Sequence, residues 1–107
     1  MYPSRQKQLV LARRPSGIPT NEDIVLAEGE VRPPEEGEVV LRNLYFSLDP
    51  AQRDWMNDTV SYLPPIAIGE AIRSTTLGQV VASNYPGLAE GDLVVGLATN
   101  AWEEYST

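Results

Sequence analysis

Residues 43–65, NLYFSLDPAQRDWMNDTVSYLPP, join the end of a strand to a proline break and a short helix. The apolar segment Leu41–Phe46 predicts a β-strand. Pro50 ends it, because proline has no N–H for a sheet ladder and biases the preceding Asp49 toward an extended conformation. The same pair suits a helix start, since aspartate can cap a helix and proline fits its first turn. Tyr62 and a pair of prolines close the stretch. Such an ordered but irregular segment predicts one wall of a small-molecule cleft.

The rest of the chain consists of short strand-like runs separated by turn residues. Eight glycines and nine prolines interrupt the apolar runs, which is typical of an all-β domain rather than of a helical bundle. Only residues 50–57 favour a helix, and the proline-rich piece 33–37 predicts an exposed hairpin connection. The predicted fold class is therefore mainly β, a partly open barrel or a sandwich. The predicted strands are Lys7–Ala12, Ile24–Ala27, Glu38–Phe46, Gly78–Ser83, Leu93–Ala98 and a short last one, Ala101–Tyr105.

Composition narrows the possible classes of function. The length of 107 residues fits one domain with a single core. The chain has no cysteine and no histidine, the usual ligands of zinc, so no metal site is expected. A net charge of −7 disfavours nucleic-acid binding, because it repels phosphate backbones. No apolar run approaches the roughly 20 residues of a membrane span, and no signal peptide is recognisable. We therefore expect no membrane association and a cytoplasmic location.

The stretch 43–65, together with residues 91–96 and 101–105, resembles the medium-chain dehydrogenase/reductase superfamily. Within it, the zinc-free branch of NADP-dependent alkenal, prostaglandin and plant-type double-bond reductases is the most similar. The resemblance extends from Lys7 onward. It implies a GroES-like, partly open β-barrel with short helical segments, residues 1–107 forming the substrate-side catalytic domain. It also implies that the nucleotide-binding Rossmann domain is absent from this chain. The matching residues are Ser47, Asp49, Pro50, Arg53, Tyr62, Pro64, Gly91, Asp92, Val94, Trp102, Glu104 and Tyr105.

The resemblance implies roles for five residues of the quoted stretch. Tyr62 would line the substrate cleft and act catalytically, since its O–H can stabilise the enolate that forms when hydride adds to an enone. Ala51 and Trp55 would complete the substrate contacts. Plant relatives often carry tyrosine at position 51, so alanine implies a wider and less polar pocket. Asp49 and Pro50 would face the nicotinamide. Simpler interpretations remain open: Asp49 as a helix cap, Trp55 as a cover of the core, and Tyr62 as a ring packed under a loop.

Three further features of the sequence concern a zinc site, the role of Arg53 and the binding of cofactor phosphates. Zinc-dependent members of the superfamily carry a Gly-His-Glu motif where this chain has Ile68, Gly69 and Glu70, so the histidine is replaced, and no cysteine stands near Ser47. Arg53 is expected to pair with a carboxylate or to hold the loop. No Gly-x-Gly-x-x-Gly sequence occurs, so the NADP phosphates are expected to be bound by the absent domain.

The function implied for the parent protein is NADPH-dependent reduction of the C=C bond of α,β-unsaturated ketones and aldehydes, with hydride passing from the nicotinamide to the β-carbon. The isolated chain is expected to be an inactive monomer, and the parent a homodimer through the missing domain. An alternative from a different class is a stand-alone β-domain that binds a ligand or a protein. Continuation of the gene past Thr107 into a strand and a glycine-rich turn would favour the reductase, and a stop codon there the binding module.

Overall fold

The computed structural model describes residues 2–59, 62–98 and 100–107. Strands dominate, and the prediction of a mainly β fold is confirmed. Within the described residues, no helix has the length and apolar content needed to cross a membrane. The elements in chain order are β1 (Arg5–Leu11), β2 (Ile24–Glu30), β3 (Val39–Phe46), α1 (Pro50–Trp55), β4 (Ser74–Ser83), β5 (Leu93–Ala98) and β6 (Tyr105–Ser106).

Two open antiparallel sheets form the architecture. β1 pairs with β2, and a second sheet has the strand order β5-β4-β3-β6. Main-chain hydrogen bonds join the sheets: the N–H of Leu9 donates to the carbonyl of Trp102 at 2.8 Å, and the N–H of Ile72 donates to the carbonyl of Leu9 at 3.1 Å. These bonds connect β1 to Ile72, just before β4, and to Trp102, just before β6. The two sheets therefore pack as one partly open unit.

The central strand β4 shows why the second sheet has one buried face. Side chains alternate between the faces of a strand. Along β4, Ser74, Thr76 and Val80 are buried, whereas Thr75 and Gln79 are exposed. The buried set faces the interior of the molecule, and the exposed set faces away from it.

Two predicted strand boundaries and one predicted connection need correction. β4 begins at Ser74 rather than at Gly78, and the last strand is Tyr105–Ser106 rather than a run starting at Ala101. The piece 33–37 is largely exposed, as predicted, but it joins β2 to β3, which lie in different sheets. The hairpin prediction is therefore wrong. Turn residues reveal that the chain reverses, but they do not reveal which strands pair.

One hydrophobic cluster lies beneath helix α1 and fixes its position. Trp55 and Met56 at the end of the helix enter the core, and removing each large apolar side chain from water contributes about 1.5–3 kcal/mol. This packing anchors the segment that the sequence analysis identified as a cleft wall. The buried members of the cluster are Leu11, Trp55, Met56, Ile66 and Ile72, and Ile24, Ala51, Leu63 and Trp102 pack against it.

Candidate substrate-side site

The loop from Ser47 to the start of α1 is held by the side chain of Gln52, which is only 4% exposed. Gln52 Oε1 accepts the N–H of Asp49 at 2.7 Å, and its Nε2 donates to the carbonyl of Ser47 at 2.9 Å. The hydroxyl of Ser47 donates to Asp49 Oδ2 at 2.6 Å. Asp49 occupies the N-cap position of α1 with extended backbone (φ −128°, ψ 152°), which is the position that the interpretation of Asp49 as a helix cap requires. The turn is fixed by side chains of its own residues.

Arg53 fastens a second loop to the same helix. Its Nε donates to the carbonyl of Gly17 at 2.8 Å and its Nη2 to the carbonyl of Pro15 at 3.0 Å, while Nη1 donates to Asn57 Oδ1 at 2.7 Å. Arg53 therefore connects the helix to the segment of Pro15 and Gly17, and no carboxylate partner of Arg53 is found among the described residues. The loop it holds lies far away in the sequence, which the sequence analysis did not foresee.

Asp49 and Pro50 line an open cleft of about 390 Å³ together with Met56 and Trp102. The lining is mostly apolar, with the Asp49 carboxylate among its few charged groups. A carboxylate accepts hydrogen bonds and does not donate them. The Asp49 carboxylate, which already accepts from Ser47 Oγ, could accept a further hydrogen bond from an amide N–H or a hydroxyl. The remaining lining residues are Pro19, Ile24, Leu48, Gln52 and Arg53.

The three predicted substrate contacts occupy different environments. Trp55 is 6% exposed and belongs to the hydrophobic cluster, and Ala51 is partly buried against that cluster. Tyr62 is 72% exposed, and its ring meets the ring of Trp55 edge-on with 6.0 Å between centroids. The structure thus brings Tyr62 and Trp55 together, and separately places Asp49 beside Pro50 in the cleft. The catalytic and substrate-binding roles of Ala51, Trp55 and Tyr62 remain predictions.

A larger cleft, of about 470 Å³, opens between the first sheet and the end of β3. The register of β3 against β4 shifts between Asn43 and Tyr45, and such a bulge re-aims the side chains that follow it. As a result Leu44, Tyr45 and Phe46 are all exposed and line the cleft. Phe46 also stacks on Trp102 with 5.2 Å between ring centroids. The sequence analysis missed this cleft, although three consecutive apolar residues at the end of a strand break the expected alternation and could have indicated it.

Glu103 also lines that cleft, and the pKa of its carboxyl is shifted. Burial raises the pKa of its carboxyl, and hydrogen bonds from Gln8 Nε2 at 2.6 Å and Ser106 Oγ at 2.9 Å oppose the rise. The sequence analysis named the neighbouring Glu104 and passed over Glu103. The neighbouring sequence does not distinguish Glu103 from Glu104, because Glu103 is covered by β1, which is far away in the sequence. Gln52 was also missed, although a glutamine three residues after an N-cap aspartate is a known helix-start signature.

Possible ligands for a metal ion or a phosphate were sought among the described residues and in the sequence. In residues 2–59, 62–98 and 100–107, no three histidine, cysteine or acidic side chains group so that they could hold a metal ion. Glycine-rich phosphate loops are missing from the sequence, and the net charge of −7 repels anions with several charges.

Comparison with known proteins gives one consistent result. The profile of a family described as the N-terminal domain of oxidoreductase matches residues 7–107. An NADPH-dependent curcumin reductase of Escherichia coli is 44% identical over 101 residues, which cover 94% of this chain and 29% of the relative. A 2-alkenal reductase (NADP(+)-dependent) of Nicotiana tabacum is 34% identical over 104 residues, covering 94% of this chain and 30% of the relative.

A solved structure agrees with the sequence matches. The crystal structure of CurA in complex with NADPH from Vibrio vulnificus superposes with a TM-score of 0.83 at 39% identity, covering 94% of this chain and 29% of that chain. This chain therefore spans less than a third of the length of the relatives that it matches.

Proposed function

The chain belongs to this family of oxidoreductase N-terminal domains, and from that premise we propose that it is the substrate-side domain of an NADPH-dependent reductase that acts on the C=C bond of α,β-unsaturated ketones and aldehydes. The observation that carries the proposal is similarity over 94% of the chain to proteins named as an NADPH-dependent curcumin reductase and an NADP-dependent 2-alkenal reductase. A second, nucleotide-binding domain would complete the enzyme and form its homodimer contact. Residues 1–107 alone would be an inactive monomer.

In this proposal the chain provides position and polarity, while NADPH provides the hydride. Asp49 and Pro50, on the turn fixed by Gln52, would face the nicotinamide, with the Asp49 carboxylate available to an amide N–H. Tyr62 would donate its O–H to the carbonyl oxygen of the enone as negative charge develops there. Its exposure supports this role, because a hydroxyl on an exposed ring can be reached by a ligand. The ring of Trp55 would help to position the ring of Tyr62, which it contacts edge-on. The small side chain of Ala51 would leave room for a bulky substrate.

A chimera tests the proposal. Residues 7–107 would replace the matching segment of the E. coli curcumin reductase, and NADPH oxidation would be followed with 2-alkenals and enones of increasing bulk. We expect the chimera to be active, and Tyr62→Phe to lower kcat/KM by about ten- to a thousandfold, since one such donor contributes about 1.4–4 kcal/mol. Ala51→Tyr should penalise bulky enones relative to small ones. An active chimera in which Tyr62→Phe leaves kcat/KM unchanged would remove Tyr62 from the site.

One observation favours a second candidate, a binding module. Along β5, Leu93, Val95 and Leu97 are 65%, 70% and 54% exposed and lie on one face. Exposed apolar patches usually mark a contact surface. In a reductase, the remaining polypeptide would cover this face. An inactive chimera whose isolated N-terminal domain nevertheless captures a small ligand or a protein would favour the module.

A further inference from the structure

The carboxyl of Glu103 lies where β1 meets the segment 102–106, a contact called here the β1–β6 junction. Its Oε2 accepts from Gln8 Nε2 at 2.6 Å, and its Oε1 lies 2.9 Å from Ser106 Oγ. The backbone crosses the same junction, since the N–H of Leu9 donates to the carbonyl of Trp102 at 2.8 Å. Glu103 has no role in the functions considered above, yet it connects segments that are far apart in the sequence.

The hydroxyl of Ser106 has more acceptors around it than it can serve. Ser106 is 5% exposed, and its Oγ accepts from Asn43 Nδ2 at 2.7 Å. The carbonyl oxygen of Asn100 lies 2.7 Å from the same Oγ, and Glu103 Oε1 lies 2.9 Å from it. A hydroxyl has one hydrogen to donate and two lone pairs. When the Glu103 carboxyl is ionised, one of these two acceptors therefore receives no hydrogen from Ser106.

A proton on Glu103 Oε1 gives each of these groups a partner. The protonated carboxyl donates to the second lone pair of Ser106 Oγ, and the Ser106 hydrogen is then free for the Asn100 carbonyl. Oε2 of Glu103 stays an acceptor for Gln8. The partial burial of Glu103 acts in the same direction, because removal from water favours the neutral carboxyl and raises its pKa.

The charged residues around Glu103 also favour its neutral form. Within residues 2–59, 62–98 and 100–107, no salt bridge includes Glu103. The guanidinium of Arg32 donates to both oxygens of Glu38, at 2.7 and 3.0 Å, so its charge is already paired. Two carboxylates and one ammonium group remain, an excess of negative charge. Glu103 lines two hollows, and the titratable residues that share them are Lys7 and Glu104 in the larger cleft and Glu30, Arg32, Glu38 and Tyr105 in a polar cavity of about 400 Å³.

We propose that Glu103 is a proton-operated clasp of the β1–β6 junction, closed while Oε1 carries a proton and loosened when the carboxyl ionises. Ionisation leaves one hydrogen of Ser106 for two acceptors and places an unpaired charge in a partly buried position, and both effects weaken the junction. Leu9 and Trp102, on opposite sides of the junction, both line the larger cleft. The proton on Glu103 therefore controls how firmly one edge of that cleft is held. This inference does not depend on the proposed reductase activity.

Glu103→Gln is an uncharged copy of the closed clasp, because its amide can donate to Ser106 Oγ and accept from Gln8. A carboxyl whose pKa is raised by folding stabilises the folded state below its ordinary value of 4.5, and this stabilisation is lost as pH rises through the folded value. We therefore expect the variant to have the higher Tm at about pH 8, and its advantage over wild type to shrink toward acid pH. Taking the difference between the two proteins cancels the titration of the other carboxylates.

Amide hydrogen exchange reports on the junction itself. At about pH 8, the N–H of Leu9 should be less protected in wild type than in Glu103→Gln, whereas below 4.5 the protection should be equal. Glu104→Gln is the matched control. It removes the neighbouring, exposed carboxylate and keeps an oxygen for the N–H of Lys7, which Glu104 Oε1 accepts at 2.7 Å. It should reproduce neither the gain in Tm nor the gain in protection.

Two results would overturn the proposal. One is a Tm of Glu103→Gln below that of wild type at about pH 8, which would show that the ionised carboxylate stabilises the junction. The other is a Tm difference that does not change with pH. If Glu103→Gln does not fold, a carbon-13 titration of the Glu103 carboxyl in wild type decides, since a midpoint above 4.5 supports the clasp and a midpoint at or below 4.5 excludes it.

Discussion

Replacing Gln52 by methionine should destabilise the domain and release the turn that carries Asp49. The substitution keeps the length and volume of the side chain but deletes both hydrogen bonds, the one from the Asp49 N–H at 2.7 Å and the one to the Ser47 carbonyl at 2.9 Å. A net contribution of about 0.5–1.5 kcal/mol for each bond gives a loss of about 1–3 kcal/mol in the free energy of unfolding. For a domain of this size, each kcal/mol corresponds to about 4–8 °C in Tm.

Thermal and urea unfolding, followed by circular dichroism, measure this loss. Gln79→Met is the matched control, because Gln79 is exposed and makes one hydrogen bond, to the carbonyl of Gly91 at 3.2 Å. It should change stability by no more than about 0.5 kcal/mol. Gln52→Glu keeps the acceptor for Asp49 and loses the donor to Ser47, so its deficit relative to wild type should shrink at low pH, where a protonated carboxyl can donate. A loss for Gln52→Met no greater than that for Gln79→Met would refute the reasoning.

Three further outcomes are expected. Glu38 accepts two hydrogen bonds from Arg32 and one from the N–H of Glu35, and these bonds lower the pKa of its carboxyl to about 2. The stabilisation that the ionised carboxylate contributes is complete above its ordinary pKa of 4.5 and is lost as pH falls toward 2. The stability difference between wild type and Glu38→Gln should therefore disappear over that pH interval in acid titrations. Ile72→Ala, at a fully buried position, should lower the free energy of unfolding in urea by about 2–5 kcal/mol. Ile18→Ala, at a position 91% exposed, should lower it by less than about 0.5 kcal/mol. Equal losses for the two variants would contradict the assignment of Ile72 to the core. The isolated chain should not bind NADPH with micromolar affinity in calorimetry, and it should not contain one equivalent of zinc in metal analysis. Binding of either one would contradict the expectation that this chain has no site for it.

The predictions that succeeded rest on interactions between residues close together in the chain. The strand end at Phe46, the break at Asp49 and Pro50, and the helix that follows depend on backbone conformation and on caps within a few positions. The order of short motifs from Ser47 to Tyr105 indicated the family, and the comparisons confirm it. Strand boundaries were less accurate at β4 and β6, because local propensity does not mark where a ladder of hydrogen bonds begins.

The amino-acid sequence by itself determined the β-rich class, the strand break and helix start at Asp49 and Pro50, the absence of cysteine and histidine, and the family. Only the tertiary structure decided that β2 and β3 lie in different sheets, that Arg53 binds the carbonyls of Pro15 and Gly17, and that Trp55 lies in the core against Arg73. Turn chemistry and helix capping act over a few residues and can be read from the order of amino acids. Strand pairing and burial depend on which distant segments meet, and that is determined by packing of the whole chain.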